Sequence, residues 1–234
     1  MVKVCDNKNL TSVLNLGLHP LCDDLKKINS RVKNKNYKIE ILFCKKCFTA
    51  HQKYQVNKKI LFTKDYHYRA RFTNDVIIGM RSLVRESLKF FKDFKNKTVL
   101  DIGCNDGSLL NFFHKKGFKT IGVEPTNAYK DAKKYHKIYN NYFDHNLSKI
   151  FKKKYKFDII CFTNVFAHIE NLNALLKNLK SIIHEDSVLI IENHYLGSIL
   201  NKNQFDTFYH EHPRTYSLKS FLFIARKLDI RKNL

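Results

Sequence analysis

The chain has 234 residues, 44% of them apolar, enough for one large or two small cores. No apolar run approaches the roughly 18 residues of a membrane-spanning helix, and Met1-Val2-Lys3-Val4-Cys5-Asp6 lacks a signal-peptide core, so a cytoplasmic protein without a membrane partner is expected. The net charge of +22 invites nucleic acid, yet Lys outnumbers Arg 35 to 8 and is spread along the chain; no nucleic-acid partner is expected, and the positive field suits small anionic substrates.

Residues 1 to about 75 read as short strands with turns. Tyr37-Lys38-Ile39-Glu40-Ile41-Leu42-Phe43 alternates as a half-buried strand does. Six cysteines in a cytosolic-looking chain argue against a disulfide framework. Cys44 and Cys47 form one C-x-x-C pair, the spacing of a zinc knuckle. Cys5 adds a third thiol, but Lys8 stands where a second pair would place its partner, and lysine cannot replace a thiolate. Cys22, His19 and His51 are available as a fourth donor, and the spacing selects none of them. Without metal, the same pattern reads as a ribbon remnant whose strands hold alone.

Residues 76–96 predict a connecting helix, with Val76, Ile77, Met80, Leu83, Val84, Leu88 and Phe91 on one stripe. From Lys97 onward strand and helix patterns alternate, which predicts a parallel sheet with covering helices. The strands fall at Thr98–Ile102, Thr120–Val123, Ile138-Tyr139, Phe157–Phe162 and Val188–Glu192. The helices fall at Ser108–Lys116, from an Asn127 cap to about His136, at Leu172–Ile183 and at Leu218–Lys227.

The first strand ends in Asp101-Ile102-Gly103-Cys104-Asn105-Asp106-Gly107 and runs into a helix. Gly103 and Gly107 permit positive φ and close backbone approach to a ligand. The pattern is G-x-x-x-G, not the G-x-G-x-x-G that cradles a pyrophosphate, so S-adenosylmethionine fits better than a dinucleotide. Glu124, 17 residues past Gly107 at the end of the next strand, is placed to bind both ribose hydroxyls. Asp101 is placed to face the methionine moiety, or else to cap loop amides. After the fourth strand come Asn164 and His168, four apart and so on one face if that turn is helical. Tyr209-His210-Glu211-His212 follows Phe205-Asp206-Thr207-Phe208. An imidazole there titrates near neutrality and can take and return a proton, with a carboxylate beside it; a metal site or a solvated turn are the other readings.

Taken in order with Gly17-Leu18-His19-Pro20, the Cys44/Cys47 pair and Tyr66-His67-Tyr68, these motifs resemble the sugar C-methyltransferase family, which methylates C3 of nucleotide-linked keto-deoxysugars. The resemblance runs along nearly the whole chain. It implies an α/β fold: a Rossmann-like class I methyltransferase sheet over 97–234, preceded by a small, mostly β, zinc-ribbon-like lobe over 1–75. It implies S-adenosylmethionine on Asp101, Gly103, Asn105, Gly107, Glu124 and Asn164, and zinc on Cys5, Cys44 and Cys47. It implies His212 as the general base, with Tyr209, Glu211, His168, Asn164 and Tyr68, and less directly Tyr66, around the sugar and its enolate.

Two departures stand out. Lys8 replaces a zinc cysteine. The chain also stops where the family's last two strands and carboxyl-terminal lobe are expected, which leaves an open sheet edge. Three readings follow: a shortened sugar C-methyltransferase, an O- or N-methyltransferase for another small metabolite, and a fragment of a split gene that needs a complementary chain.

Overall fold

The computed structural model describes residues 4–63 and 66–230. In chain order its elements are strands β1 (Thr11–Pro20), β2 (Asn36–Cys44) and β3 (Thr49–Gln52), helices α1 (Lys58–Leu61) and α2 (Asn74–Ser87), β4 (Thr98–Ile102), α3 (Ser108–His114), β5 (Lys119–Val123), α4 (Tyr129–Ala132), β6 (Lys137–Tyr139), α5 (His145–Lys154), β7 (Ile159–Thr163), α6 (Leu172–Lys180), β8 (Val188–Glu192), α7 (Leu196–Asn201), β9 (Arg214–Thr215) and α8 (Leu218–Leu228). They form two compact units, neither continuous in sequence. One comprises the chain up to Leu61, Phe166–Leu176 and everything from Asn193; the other comprises Phe62–Val165 and Lys177–Glu192. Among the described residues no helix is long and apolar enough to cross a membrane.

The second unit holds a parallel sheet in the order β6-β5-β4-β7-β8. Val99, Leu100, Ile159, Ile160, Cys161 and Phe162 are all fully buried, which is why β4 and β7 read as nearly continuous apolar runs. α3 lays Leu109, Leu110 and Phe113 against the sheet, and Val84 of α2 joins the same core. The stripe Val76, Ile77, Met80, Leu83, Val84 and Leu88 faces inward while Ile78 stays exposed, as the helical period requires. The strand order reverses at β4. The carboxyl edge of the sheet at such a reversal is the usual place for a ligand in these folds.

The expected strands are all present; the helices differ in detail. The helix after β5 is one short turn capped by Ala128, not a longer one capped by Asn127. Asn127 is spent elsewhere: its Oδ1 accepts from the Arg69 guanidinium at 2.6 Å. α5 appears in a lysine-rich stretch whose apolar stripe is short, Leu147, Ile150 and Phe151. It is started by Asp144, whose side chain accepts from the Leu147 N–H at 2.8 Å, and anchored by buried Leu147 and Phe151.

The first unit holds an antiparallel sheet in the order β1-β2-β3-β9. β1 pairs with β2 from Thr11↔Phe43 to Pro20↔Asn36, with register shifts between Ser12 and Leu14 and between Asn15 and Gly17. Ile39 and Ile41 of β2 pack with Ala50, Leu196, Ile199 and Phe208. β3 pairs with β9 through Ala50↔Thr215 and His51↔Arg214. The buried Arg214 guanidinium donates to the carbonyls of Ile169 and Glu170, which fixes the segment after β7 within this unit. α8 starts in a reciprocal Ser217/Ser220 cap. A Rossmann-like α/β sheet with a small antiparallel sheet is the fold class expected from the sequence.

Candidate active site

In the parallel unit the chain leaves β4 through Gly103 (φ +78°) and enters α3 through Gly107 (φ +81°). The demand for glycine is partly internal. A Cβ on Gly103 would lie 2.5 Å from Val165 Cγ2, and one on Gly107 would lie 3.1 Å from Ala132 Cβ. Glu124 follows β5 and is buried. Its Oε2 accepts from the Asn105 N–H at 2.9 Å; its Oε1 accepts from the Thr126 N–H at 2.8 Å and the Thr126 hydroxyl at 2.6 Å. Glu124 and Asp106, not Asp101, are thus the carboxylates that cap the glycine loop, Asp106 Oδ1 accepting from the Ser108 N–H at 3.1 Å. Glu124 Oε2 keeps one acceptor site, and Oε1 gains one when the Thr126 hydroxyl turns away.

Asp101 sits at the end of β4 with 1% exposure, and its Oδ1 has no hydrogen-bond partner among the described residues. Burial, with the Glu124 charge, pushes its carboxyl up to about 8. A buried, unpartnered carboxyl oxygen beside a glycine loop fits the ammonium end of an amino-acid moiety. Together with the spare acceptor on Glu124, it makes these residues a fit for S-adenosylmethionine.

A strap at Tyr66–Phe72 lies against this loop within the same unit. Ala70 N–H donates to Asn105 Oδ1 at 3.0 Å, Arg71 N–H donates to Asp106 Oδ2 at 3.0 Å, and Asn105 Nδ2 donates to the Tyr68 carbonyl at 3.1 Å. Arg69 Nε and Arg71 NH1 both pair with Asp131, at 3.1 and 3.0 Å. The Asn105 side chain, expected to touch the cofactor, is therefore engaged with the strap that carries Tyr68, whose ring is exposed. Tyr66 packs its ring against Phe62 at 5.6 Å. Asn164 has φ +55° and its N–H donates to the Glu192 carbonyl at 2.9 Å. The turn after it, Phe166–His168, is a short 3-10 segment. Asn164 and His168 thus do not share a helical face, because the left-handed residue breaks the helical period.

The antiparallel unit gathers the second group. His212 is 4% exposed. Its Nδ1 lies 3.1 Å from the Thr207 carbonyl, which can only accept, so Nδ1 carries the proton and Nε2 carries the lone pair. Tyr209 OH lies 3.2 Å from that Nε2. The His168 and His194 rings stand 4.9 and 5.1 Å from the His212 ring. Glu211 Oε1 accepts from the Cys22 thiol at 3.3 Å, and its Oε2 lies 3.9 Å from His168 Nδ1. His210 points away, its Nε2–H donating to the Tyr37 carbonyl at 3.1 Å. His194 escaped the sequence reading; its place two residues beyond a parallel strand's carboxyl end is the signal that marks it.

Burial, helped by the neighbouring His168, holds His212 down to about 3, and burial with the Arg214 charge does the same for His51. Burial also lowers His136 to about 4. Unfolded, each takes a proton near 6.5, so the unfolded chain binds more protons below that pH. The stability these histidines contribute is whole above pH 6.5 and is lost as pH falls toward 3. Asp101, raised to about 8, acts in the opposite sense over part of that range. At about 1.4 kcal/mol per pH unit per group, the net loss below pH 6.5 is about 1–3 kcal/mol per unit. Urea unfolding is expected to show a lower midpoint at pH 5 than at pH 7, and an unchanged midpoint would contradict the neutral, buried state of these rings.

Cys5, Cys44 and Cys47 form the third group: their sulfurs all lie within 4.8 Å of one another, and all three residues are buried. Cys5 Sγ and Cys44 Sγ are 3.6 Å apart. Two thiolates on a tetrahedral zinc, with Zn–S of about 2.3 Å, stand about 3.8 Å apart; the cluster fits that ion. The β2–β3 turn sets the geometry, with the Phe48 N–H on the Cys44 carbonyl at 2.8 Å and Phe48 at φ +54°. Burial pushes the Cys44 thiol up, but donors from the Asn7 amide and the Cys47 and Lys46 backbone outweigh it and lower it to about 7. None of the expected fourth donors joins. His19 Nε2 lies 2.7 Å from the Leu16 carbonyl, the Cys22 thiol faces Glu211, and His51 is outside the cluster.

A five-stranded parallel sheet with a glycine loop after its central strand and a capping acid after the next defines a Rossmann-like S-adenosylmethionine methyltransferase domain. The chain belongs to the methyltransferase-domain family, whose model matches residues 76–229. Residues 3–62 match a family described as "Putative zinc binding domain". The C-methyltransferase NovU of Streptomyces niveus is 23% identical over 233 residues, 98% of this chain and 55% of that protein. A ubiquinone biosynthesis O-methyltransferase of Pelagibacter ubique is 24% identical over 103 residues, 43% of each chain. The chain spans about half the length of the curated relatives it matches. Among solved structures, a SAM-dependent methyltransferase from Archaeoglobus fulgidus superposes with a TM-score of 0.54 at 21% identity, covering 67% of this chain and 70% of that one. The PH0226 protein of Pyrococcus horikoshii gives 0.53 at 16% identity, covering 68% and 84%. These likenesses bear on the fold.

Proposed function

We propose that this chain is the catalytic part of an S-adenosylmethionine-dependent C-methyltransferase that acts at C3, beside the ketone of a nucleotide-linked deoxysugar. The observation that carries the reading is His212: a buried imidazole with its Nδ1 proton spent on Thr207 and its Nε2 lone pair beside the Tyr209 hydroxyl. Methylation at oxygen or nitrogen has less need of such a base, whereas carbon must first lose a proton. The match to a C-methyltransferase along nearly the whole chain supports the same choice.

When bound, S-adenosylmethionine supplies an electrophilic methyl group. Glu124 holds the ribose hydroxyls, Asp101 the amino-acid end, and Gly103, Asn105 and Gly107 shape the loop. Asn164 closes the cofactor side. His212 Nε2 takes the proton next to the ketone, and the Tyr209 hydroxyl donates to the charge that develops on oxygen. Glu211, His168 and Tyr68 orient the sugar. Cys5, Cys44 and Cys47 hold zinc, which ties the amino-terminal turn to the antiparallel sheet. The +22 charge favours an anionic nucleotide sugar; the protein works in the cytoplasm.

A panel of nucleotide keto-sugars, incubated with S-adenosylmethionine in deuterated water and read by mass spectrometry, tests the proposal. Gain of one methyl group, with deuterium wash-in next to the ketone, is expected. The partial match to O-methyltransferases favours a second reading, methylation of another metabolite at oxygen, for which methyl gain occurs without wash-in. Donor binding without turnover on any acceptor would point to a chain that works only with a complementary partner.

A further inference from the structure

Among the described residues the cysteine cluster has three corners and no fourth. Cys44 and Cys47 occupy the two ends of one C-x-x-C turn; Cys5 is matched at that spacing by Lys8, which is exposed and cannot ligate. Among the described residues no other Cys, His, Asp or Glu joins the three sulfurs. The remaining cysteines are committed elsewhere: Cys22 to Glu211, and Cys104 and Cys161 to the core of the parallel unit.

Among the described residues two other polar side chains touch the cluster: Thr49, whose Oγ1 lies 3.1 Å from Cys47 Sγ and whose hydroxyl is spent on Ser220 Oγ at 2.8 Å, and Asn7, whose bonding shows what it does. Its Nδ2 donates to Cys44 Sγ at 3.5 Å and to the Asn9 carbonyl at 2.9 Å, while its Oδ1 accepts from the Asn9 N–H at 3.2 Å. Presenting the oxygen to a metal would break both bonds to Asn9. The amide therefore serves as a donor to a thiolate and not as a ligand. The turn it belongs to is solvent-exposed at Asp6, Lys8 and Asn9. Three protein ligands beside an accessible turn is the arrangement of metal sites that keep an open position, whereas structural zinc sites close all four.

We propose that Cys5, Cys44 and Cys47 form a metal site with an exchangeable fourth position that accepts an exogenous nitrogen or sulfur donor, an imidazole or a small thiol. The Asn7 amide supports it by hydrogen-bonding the Cys44 thiolate, the kind of outer-shell contact whose loss weakens metal affinity about 10–100-fold.

Cobalt(II) is the probe, because its visible bands report the donor set and need no enzymatic turnover. The full chain loaded with cobalt is expected to show the intense bands of a tetrahedral thiolate site, and these should shift when imidazole is added. Lys8→Cys is expected to move the bands once, toward a four-thiolate spectrum, to abolish the imidazole response, and to tighten metal binding about tenfold or more. Asn7→Ala is expected to weaken binding about tenfold while keeping the imidazole response. Because Lys8 and Asn7 lie on an exposed turn, circular dichroism should show both variants folded. Wild-type bands that ignore imidazole, wild-type bands equal to those of Lys8→Cys, or no tetrahedral bands at all would each overturn the proposal.

Discussion

His212→Ala is expected to abolish deuterium wash-in next to the sugar ketone and to lower turnover by about 10²–10⁴-fold, the usual contribution of a positioned general base. The ring is held from both sides: Thr207 fixes its tautomer, and Tyr209 sits on the free nitrogen. With no substrate present, burial and His168 keep it neutral, with a pKa of about 3. Such an imidazole is ready to accept a proton but weak as a base. An anionic nucleotide sugar, and then the charge on the enolate oxygen, both favour the imidazolium and so strengthen the base when it is needed. Tyr209→Phe should retain wash-in at a reduced rate, because the lone pair survives while one donor is lost. Donor binding should be unchanged in both variants. Wash-in at the wild-type rate in His212→Ala would remove this residue from the mechanism.

Glu124→Gln should raise the dissociation constant for S-adenosylmethionine by about 10²-fold or more. Two hydrogen bonds from ribose hydroxyls to a carboxylate are each worth about 1.5–3 kcal/mol, and every 1.4 kcal/mol is tenfold in affinity. The substitution acts on the loop as well. One glutamine oxygen can still serve Thr126, but the amide nitrogen then faces the Asn105 N–H, donor against donor. Calorimetric titration reads the affinity, and thermal unfolding reads any loosening of the loop. Equal affinity in wild type and Glu124→Gln would show that the cofactor is anchored elsewhere. Because His212→Ala should bind the donor normally, the two variants separate loss of cofactor from loss of chemistry.

Much of the parallel sheet was legible in the sequence. Its strands are buried, so their apolar runs are nearly unbroken, and the turn after β4 needs glycine at Gly103 for two reasons that agree: positive φ and the approach of Val165. The gathering of Cys5 with Cys44 and Cys47 was expected from the family resemblance, whereas nothing in the spacing told them from Cys22, a fourth thiol in the same segment that faces Glu211 instead. The strap at Tyr66–Phe72 was not legible. Two of its contacts use backbone N–H groups on Asn105 and Asp106, and no side-chain pattern announces those. One of these bonds occupies the Asn105 side chain, which the family resemblance assigned to the cofactor. Asn164 illustrates a different failure: a four-residue interval suggests a helical face only if every residue between is right-handed, and one left-handed asparagine removes the premise. α5 was hidden by its lysines, because two buried apolar side chains, a buried serine and an aspartate cap hold it.

The antiparallel sheet has a consequence for how the polypeptide is made. Ala50 pairs with Thr215, and the apolar faces of Ile39 and Ile41 are covered by Leu196, Ile199 and Phe208. During translation the earliest strands therefore emerge from the ribosome long before the segments that cover them. A nascent chain paused ahead of Leu196 carries bare, sticky β-structure and is a natural client for holding chaperones. The parallel unit closes once Glu192 has emerged, so the order of synthesis favours its completion first, with the amino-terminal strands among the last to find their places.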